Sequence, residues 1–466
     1  MKNIFLITNL AAGLVLVCGT AQAQSPKLVC HNYTNAWGTP AAVTATTGTV
    51  SIEAAGYFVA AITDENGYLE VKAFQNDCKE VGHVHTDTPV PIGAPITAVA
   101  AADLNSSQIV TAVVDQNGTL QLRTWAVGGK AGIAALNAGY LSSMNTASPL
   151  GTTPFLGITA LSATEVVTAY QDPVGNFILQ QWNIPSGGVP APVGKPLNLG
   201  GAISKLCTAP DGGLEQVAFG GPSKIAISTV DPSLGMFVTA ASDENQNLYV
   251  DVWSLGNNGT FEADGQACVP NIVNGANPGL AIAGGFGQVI EKAGKYHFAA
   301  TQHYAVTPLV NGEENFEVLY WDISSTGALS KTANLTEPGV PSAPATTGTA
   351  AAMLPTGVPI SANLQQSGDS LDVNVGWYGY TGMSTHNEIE ITTTPFNGAG
   401  VYGVSAAEAG ASFPPPLLEV LSGTAYFVTG TMTALGNLPP MVEGSSPANE
   451  GKFQLNLWSY PVVFFR

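Results

Sequence analysis

Along most of the chain, short continuous apolar runs are followed by strictly alternating ones, with a turn signal between them. Phe58-Val-Ala-Ala-Ile-Thr-Asp64 is apolar or small at nearly every position, and Glu-Asn-Gly67 follows it. Tyr68-Leu-Glu-Val-Lys-Ala-Phe74 then alternates. The phrase returns as Ile109-Val-Thr-Ala-Val-Val-Asp115, then Gly118, then Thr119-Leu-Gln-Leu-Arg-Thr-Trp125. It returns again as Val166-Val-Thr-Ala-Tyr-Gln-Asp172 leading through Gly175 to Trp182, and as Phe237-Val-Thr-Ala-Ala-Ser-Asp243 leading through Asn247 to Trp253. Alternation with period two predicts a half-buried strand. A continuous apolar run predicts a strand covered on both faces. Between them, the aspartate side chain caps a turn and Gly or Asn accepts positive φ, so each phrase is a hairpin.

A further short apolar run precedes each phrase, at 96–100, 155–160, 224–228 and 280–283. Three looser units follow. Phe298-Ala-Ala-Thr301 is read as joined to Phe316-Glu-Val-Leu-Tyr-Trp321, and Leu371-Asp-Val-Asn-Val-Gly-Trp377 to Glu388-Ile-Glu-Ile391. Tyr426-Phe-Val-Thr429 is read as joined to Phe453-Gln-Leu-Asn-Leu-Trp458. First strands then begin near 50, 96, 155, 225, 280, 359 and 417. The expectation is an all-β chain, a seven-bladed β-propeller of four-stranded antiparallel blades, because radial repetition leaves only short sheet edges. The last unit stops soon after its third strand, at Arg466, while 27–37 has strand character in Leu28-Val-Cys-His-Asn-Tyr33. That N-terminal strand is expected to supply the missing outer strand and close the ring. Two packed sheets, the alternative, would need no such regular period.

The phrase Val-Thr-Ala-x-x-Asp-x-x-Gly-x-Leu-x-Leu-x-x-Trp, complete at 110–125, resembles the blade motif of exported bacterial seven-bladed propeller repeat proteins. The resemblance covers 50–466. It implies an architecture, and a protein that binds a ligand or partner rather than one with a defined chemistry. Trp321-Asp322 imitates a WD dipeptide, but no Gly-His partner accompanies it.

Composition narrows the class. The 466 residues hold 14 Lys+Arg and 33 Asp+Glu, for a net charge of −19, with 53 Gly and 31 Pro. Charged residues are only 10%, too few for a coiled coil or helical solenoid, and 45% apolar content excludes a disordered chain. The acidic balance argues against a nucleic-acid partner, since like charge repels phosphate. Residues 1–23 read as a secretory signal: Lys2, an apolar run from Ile4 to Val17, and Ala21-Gln22-Ala23 for cleavage. The run is shorter than the ~20 residues that span a bilayer. Residues 24–466 are then a single exported domain, bound for periplasm, cell surface or medium. No later segment reads as a membrane span. Export suits the four cysteines that remain, Cys30, Cys78, Cys207 and Cys268, which are expected to form two local disulfides, Cys30–Cys78 and Cys207–Cys268.

Candidate chemistry is sparse. The repeated Asp64, Asp115, Asp172 and Asp243 invite a calcium reading, but each turn offers too few oxygen ligands, and hairpin capping is favoured. His83-Val84-His85 places two imidazoles on one strand face beside Glu80 and Asp87, which alone does not define a metal site. No Gly-x-Ser-x-Gly or His-Glu-x-x-His occurs. No metal and no cofactor is expected, and the reading leans away from an enzyme. The strongest signal is an asymmetry of turns. Between second and third strands the first four units are short, whereas 303–315, 378–387 and 433–451 are long. On one propeller face these would raise a lip carrying His303, Tyr304, Glu313, Glu314, Tyr378, Tyr380, His386, Asn387, Glu443 and Asn449, with Trp377 close by. Aromatics beside amides and acids suit a glycan or an exported protein as partner. A polysaccharide hydrolase or lyase using lip carboxylates is the alternative, and a structural role in an envelope assembly a third reading. The oligomeric state is not legible.

Overall fold

The computed structural model describes residues 27–37, most of 57–85, 96–145 and 156–199, the strands Ser204–Thr208 and Leu214–Ala218, most of 222–341, and the strands between 349 and 459. Among these residues every regular element is a β-strand apart from the 3-10 turn Pro232–Leu234.

The strands form antiparallel meanders in chain order. The first sheet is Tyr57–Thr63, Leu69–Gln75 and Glu80–His85; its expected innermost strand, near residue 50, lies outside the described residues. The second runs Ile96–Asn105, Gln108–Asp115, Thr119–Val127, then Ile133–Ala135 and Tyr140–Asn145 on one outer edge. The third runs Leu156–Ser162, Glu165–Gln171, Phe177–Asn183, Ala191–Asn198. After a two-stranded ribbon, Ser204–Thr208 with Leu214–Ala218, the fourth runs Pro222–Asp231, Met236–Asp243, Leu248–Leu255, Phe261–Val269. The fifth is Ala283–Lys292, Lys295–Val310, Asn315–Ile323, Leu329–Pro341, and the sixth Thr349–Met353, Pro359–Ser367, Ser370–Trp377, Asn387–Ile391. In the last sheet, Leu417–Val420, Tyr426–Met432 and Lys452–Ser459 take Lys27–Trp37 as outer strand, with Leu28 opposite Trp458.

The leading strand of each sheet from the second onward packs on that of the next: Ile96–Asn105, Leu156–Ser162, Pro222–Asp231, Ala283–Lys292, Thr349–Met353 and Leu417–Val420. Sheets fanned around a shared inner line are the packing of a β-propeller. The small residues of these strands permit the close approach: a Cβ on Gly157 would lie 2.8 Å from Ile227 Cγ2. Among the described residues, one apolar layer lies between each successive pair of sheets from the first to the sixth. Leu122 meets Val166 and Trp182, Leu179 meets Phe237 and Trp253, and Val250 meets Trp321. Burying each such large side chain contributes about 1.5–3 kcal/mol.

The Val-Thr-Ala…Trp spacing has a physical cause. The Trp Nε1 of the third strand donates to the Thr Oγ1 of the second, always 14 residues apart: Trp125 to Thr111, Trp182 to Thr168 and Trp253 to Thr239, each at 2.9 Å, and Trp321 to Thr307 at 3.0 Å. Every one of these Trp residues packs toward the preceding sheet, and the bond leaves no indole N–H unsatisfied in a dry layer. In the first sheet the same register places Phe74 against Phe58, with Ala60 where the Thr would stand. A ring without a donor is matched by a side chain without an acceptor.

The fifth unit departs from the sequence reading. Trp321 selects Thr307, so the core part of the second strand begins at Ala305 and not at Phe298-Ala-Ala-Thr301. The expected turn at 303–315 is strand as far as Val310, and only 312–314 separate it from Asn315 beyond the bridge residue Asn311. In the sixth unit Pro359–Ser367 is the second strand, because Thr349–Met353 precedes it. The segment 378–386 therefore joins third to fourth strand, not second to third.

The Cys30–Cys78 disulfide forms as expected, with Cα atoms 5.7 Å apart. Cys268 is also disulfide-bonded. The strand carrying Cys207 packs on Phe261–Val269, which carries Cys268.

Candidate binding surface

An antiparallel meander alternates its connections between two ends. Second-to-third turns leave from one end, and first-to-second and third-to-fourth connections from the other. At the first end the repeated aspartates cap the hairpins. Asp115 Oδ1 accepts from Asn117 N at 2.9 Å and Thr119 N at 2.7 Å. Asp172 takes Asn176 N and Nδ2, both at 2.8 Å. Asp243 accepts from Asn245 N, Asn247 N, Asn247 Nδ2 and the Tyr249 hydroxyl. Burial, and then the charge of Asp243, push the Tyr249 hydroxyl well above the ordinary range. The left-handed turn residue is Gly118 or Gly175, but in the fourth sheet it is Gln246 with φ 68°, one residue before the Asn247 that the sequence pattern suggested.

Only part of the expected lip falls within the described residues. Glu313 and Glu314 fall in the fifth sheet's second-to-third turn, and Glu443 and Asn449 in the corresponding segment of the last sheet, at the capped end. Tyr378, Tyr380 and His386 belong to 378–386, which joins strands at the far end. All of these lie outside the described residues. Trp377 and Asn387 are register partners at the strand ends bounding that segment. His303 and Tyr304 are strand residues at the far end, opposite Ile323 and Asp322, and both are buried rather than exposed.

The far end of the fifth sheet carries a feature that the sequence reading missed. In the second, third and fourth sheets the second strand starts at Gln108, Glu165 and Met236, each immediately before the partner of Trp125, Trp182 or Trp253. The equivalent residue here is Tyr304, yet the strand starts at Lys295. Pairing with the leading strand continues through Gly287–Gln302, Val289–Phe298, Ile290–His297 and Glu291–Tyr296 to Lys292–Lys295. The third strand pairs only from His303 onward. The first two strands thus run on as a two-stranded ribbon. A partial sequence signal was present: Lys295-Tyr-His-Phe298 alternates directly after Ala293-Gly294, although Val289-Ile-Glu-Lys292 before it does not.

A buried pair ties the ribbon's base to the fourth sheet. His303 Nε2 lies 2.8 Å from Asp231 Oδ2. Asp231 ends the fourth sheet's leading strand, and its Oδ1 accepts from Ser233 N at 2.9 Å and Ser233 Oγ at 2.6 Å, capping the 3-10 turn. Burial alone would raise the Asp231 carboxyl, but the Ser233 and His303 hydrogen bonds hold it below its ordinary value. The fifth and sixth sheets are neighbours, Val306 packing with Ala351. The ribbon, Trp377 and Asn387 therefore share one end of two adjacent sheets.

The His83–His85 strand pair does not build a metal centre among the described residues. His83 Nδ1 bonds Glu80 Oε1 at 3.0 Å, and Lys72 opposite it binds Glu70 Oε2 at 3.1 Å, so an ammonium already stands among the carboxylates.

No family model matches the chain, and no curated protein matches it. Among solved structures it is similar to the BP39L lectin from Burkholderia pseudomallei, at 13% identity and TM-score 0.48 over 94% of this chain and 99% of that one. It is also similar to AofleA from Arthrobotrys oligospora, at 11% identity and TM-score 0.46 over 78% of this chain and 90% of that one. An α-L-arabinanase from Penicillium chrysogenum, complexed with arabinobiose, gives 9% identity and TM-score 0.39 over 94% of this chain and 99% of that one. At such values the likenesses carry no argument about what this chain binds.

Proposed function

We propose that this chain is an exported, non-enzymatic seven-bladed propeller that binds a glycan or another exported protein at the far end of its fifth and sixth sheets. Closure of the ring is supported by the first sheet. Val59, Ala61, Val71 and Ala73 pack against the second sheet. The opposite face, with Phe58 and Phe74 at 0% and Lys72 at 5% exposure, is equally dry and needs a cover. Phe74 occupies the position from which each Trp packs on the preceding sheet; for the first sheet only the last can fill that place. Cys30–Cys78 joins the outer strand of the last sheet to the first. The disulfides and the leader-like residues 1–23 support export.

The observation that carries the binding site is the ribbon from Gly287 to Gln302. It stands at the same end as the register pair Trp377 and Asn387. A two-stranded ribbon alone is marginal in water, and long aromatic-bearing connections suit recognition. Glu313, Glu314 and Glu443 are not assigned to this surface.

The test is a glycan array and a pull-down with the chain from residue 24, beside a variant in which 288–301 is replaced by a two-residue turn. Binding in the parent and its loss in the variant, with unchanged far-UV dichroism, is the expected result. Unchanged binding in the variant moves the site elsewhere. Turnover of any glycan that binds supports the hydrolase reading instead.

A further inference from the structure

We propose that the fifth-sheet ribbon recognises an anionic polysaccharide, a chain bearing uronate or sulfate groups; this rests on the ribbon being the binding element. The register divides its residues between two faces. Val289 stands opposite Phe298 and Glu291 opposite Tyr296, so these four share one face. Ile290 opposite His297 and Lys292 opposite Lys295 share the other. One face is thus rich in apolar and aromatic residue types, and the other carries the Lys292–Lys295 register pair next to the Ile290–His297 pair.

That lysine pair is conspicuous against the rest of the chain. Lys+Arg number only 14 in 466 residues, and the net charge is −19. Between Lys224 and Lys452 the sequence holds only Lys292, Lys295 and Lys331 as cations, and the two three residues apart fall at the ribbon tip. Like charges directly opposite one another on a ribbon destabilise it. Their placement at the end of the ribbon, in a chain of net charge −19, suits a ligand that brings negative charge to the tip alone. A single polysaccharide chain does so, with its sugar rings meeting the aromatic face. An anionic bilayer would instead present a charged plane to a chain whose net charge is −19, and repulsion opposes it.

The experiment uses the full chain from residue 24, its Lys292→Ala/Lys295→Ala variant and its Tyr296→Ala/Phe298→Ala variant. Polygalacturonate, dextran sulfate, neutral dextran and vesicles of phosphatidylglycerol with phosphatidylcholine are the probes. Polygalacturonate or dextran sulfate is expected to bind, to weaken as salt rises, and to lose at least about threefold in affinity in the lysine variant, the scale of two exposed charge contacts. Dextran binding as tight as that of the charged chains, a lysine variant that binds them unchanged, or binding to vesicles alone would overturn the inference. If the ribbon deletion abolishes binding of a neutral glycan while the lysine variant leaves it intact, the binding site stands and the anionic ligand falls.

Discussion

The Thr–Trp bond is the smallest unit that explains the repeat. Four sheets carry it, and the first replaces both partners together with Ala60 and Phe74. The pair is therefore expected to be coupled. Thr239→Ala leaves the Trp253 indole N–H buried without an acceptor, at a cost of about 1–3 kcal/mol. Trp253→Phe costs a similar amount or more through lost packing. The double variant should cost about 1 kcal/mol less than the sum of the two, as read from urea unfolding in a double-mutant cycle. Strict additivity would show the bond to be incidental. The spacing of Thr and Trp was visible in the sequence, but the bond was not, because separation in sequence does not reveal which residues stand opposite. The aspartate caps were legible outright, since Asp-x-Asn-Gly names both the acceptor and the left-handed residue. Gln246 escaped because a glutamine seldom marks that conformation. Asp231 supports a pH prediction. Its carboxyl titrates below its ordinary value in the folded chain, so its contribution is fully present above about pH 4 and fades as pH falls through the depressed value. Asp231→Asn should flatten part of the acid limb of a stability-against-pH curve while leaving neutral thermal unfolding cooperative. An acid limb identical to that of the parent would contradict this.

At the scale of elements, hairpins with strong periodicity were predicted where they lie, and the two errors share one cause. In the fifth unit Phe298-Ala-Ala-Thr301 mimics the core phrase, but it sits in the ribbon; the core strand Ala305-Val-Thr-Pro-Leu-Val310 was hidden by its proline. In the sixth, Thr349–Met353 is so rich in Ala that it reads as a linker, although small residues are what a leading strand needs where backbones come close. Displacing one strand in the count moves every later connection to the opposite end. That is why 378–386 links the third and fourth strands of its sheet instead of the second and third.

At the scale of the whole molecule, the chain is stitched together at its ends. The disulfide from Cys30 to Cys78 spans 48 residues and links the last sheet to the first. Its removal by Cys30→Ser is expected to cost about 2–4 kcal/mol. The loss should appear as a lower unfolding temperature in calorimetry and as early proteolytic cleavage near residue 37 under native conditions. Cleavage that begins instead within the third or fourth sheet would place the weak seam elsewhere.

The sharing of one sheet by both chain ends governs how the molecule is made. Strand 452–459 is synthesised after the six sheets before it, and the slot that Lys27–Trp37 fills does not exist until it arrives. Until then the opening strand must wait with its backbone groups unmatched. Cys78, in contrast, emerges early. A crosslink formed then holds the waiting strand beside its future berth, so the final step is a short local docking instead of a search by a free tail.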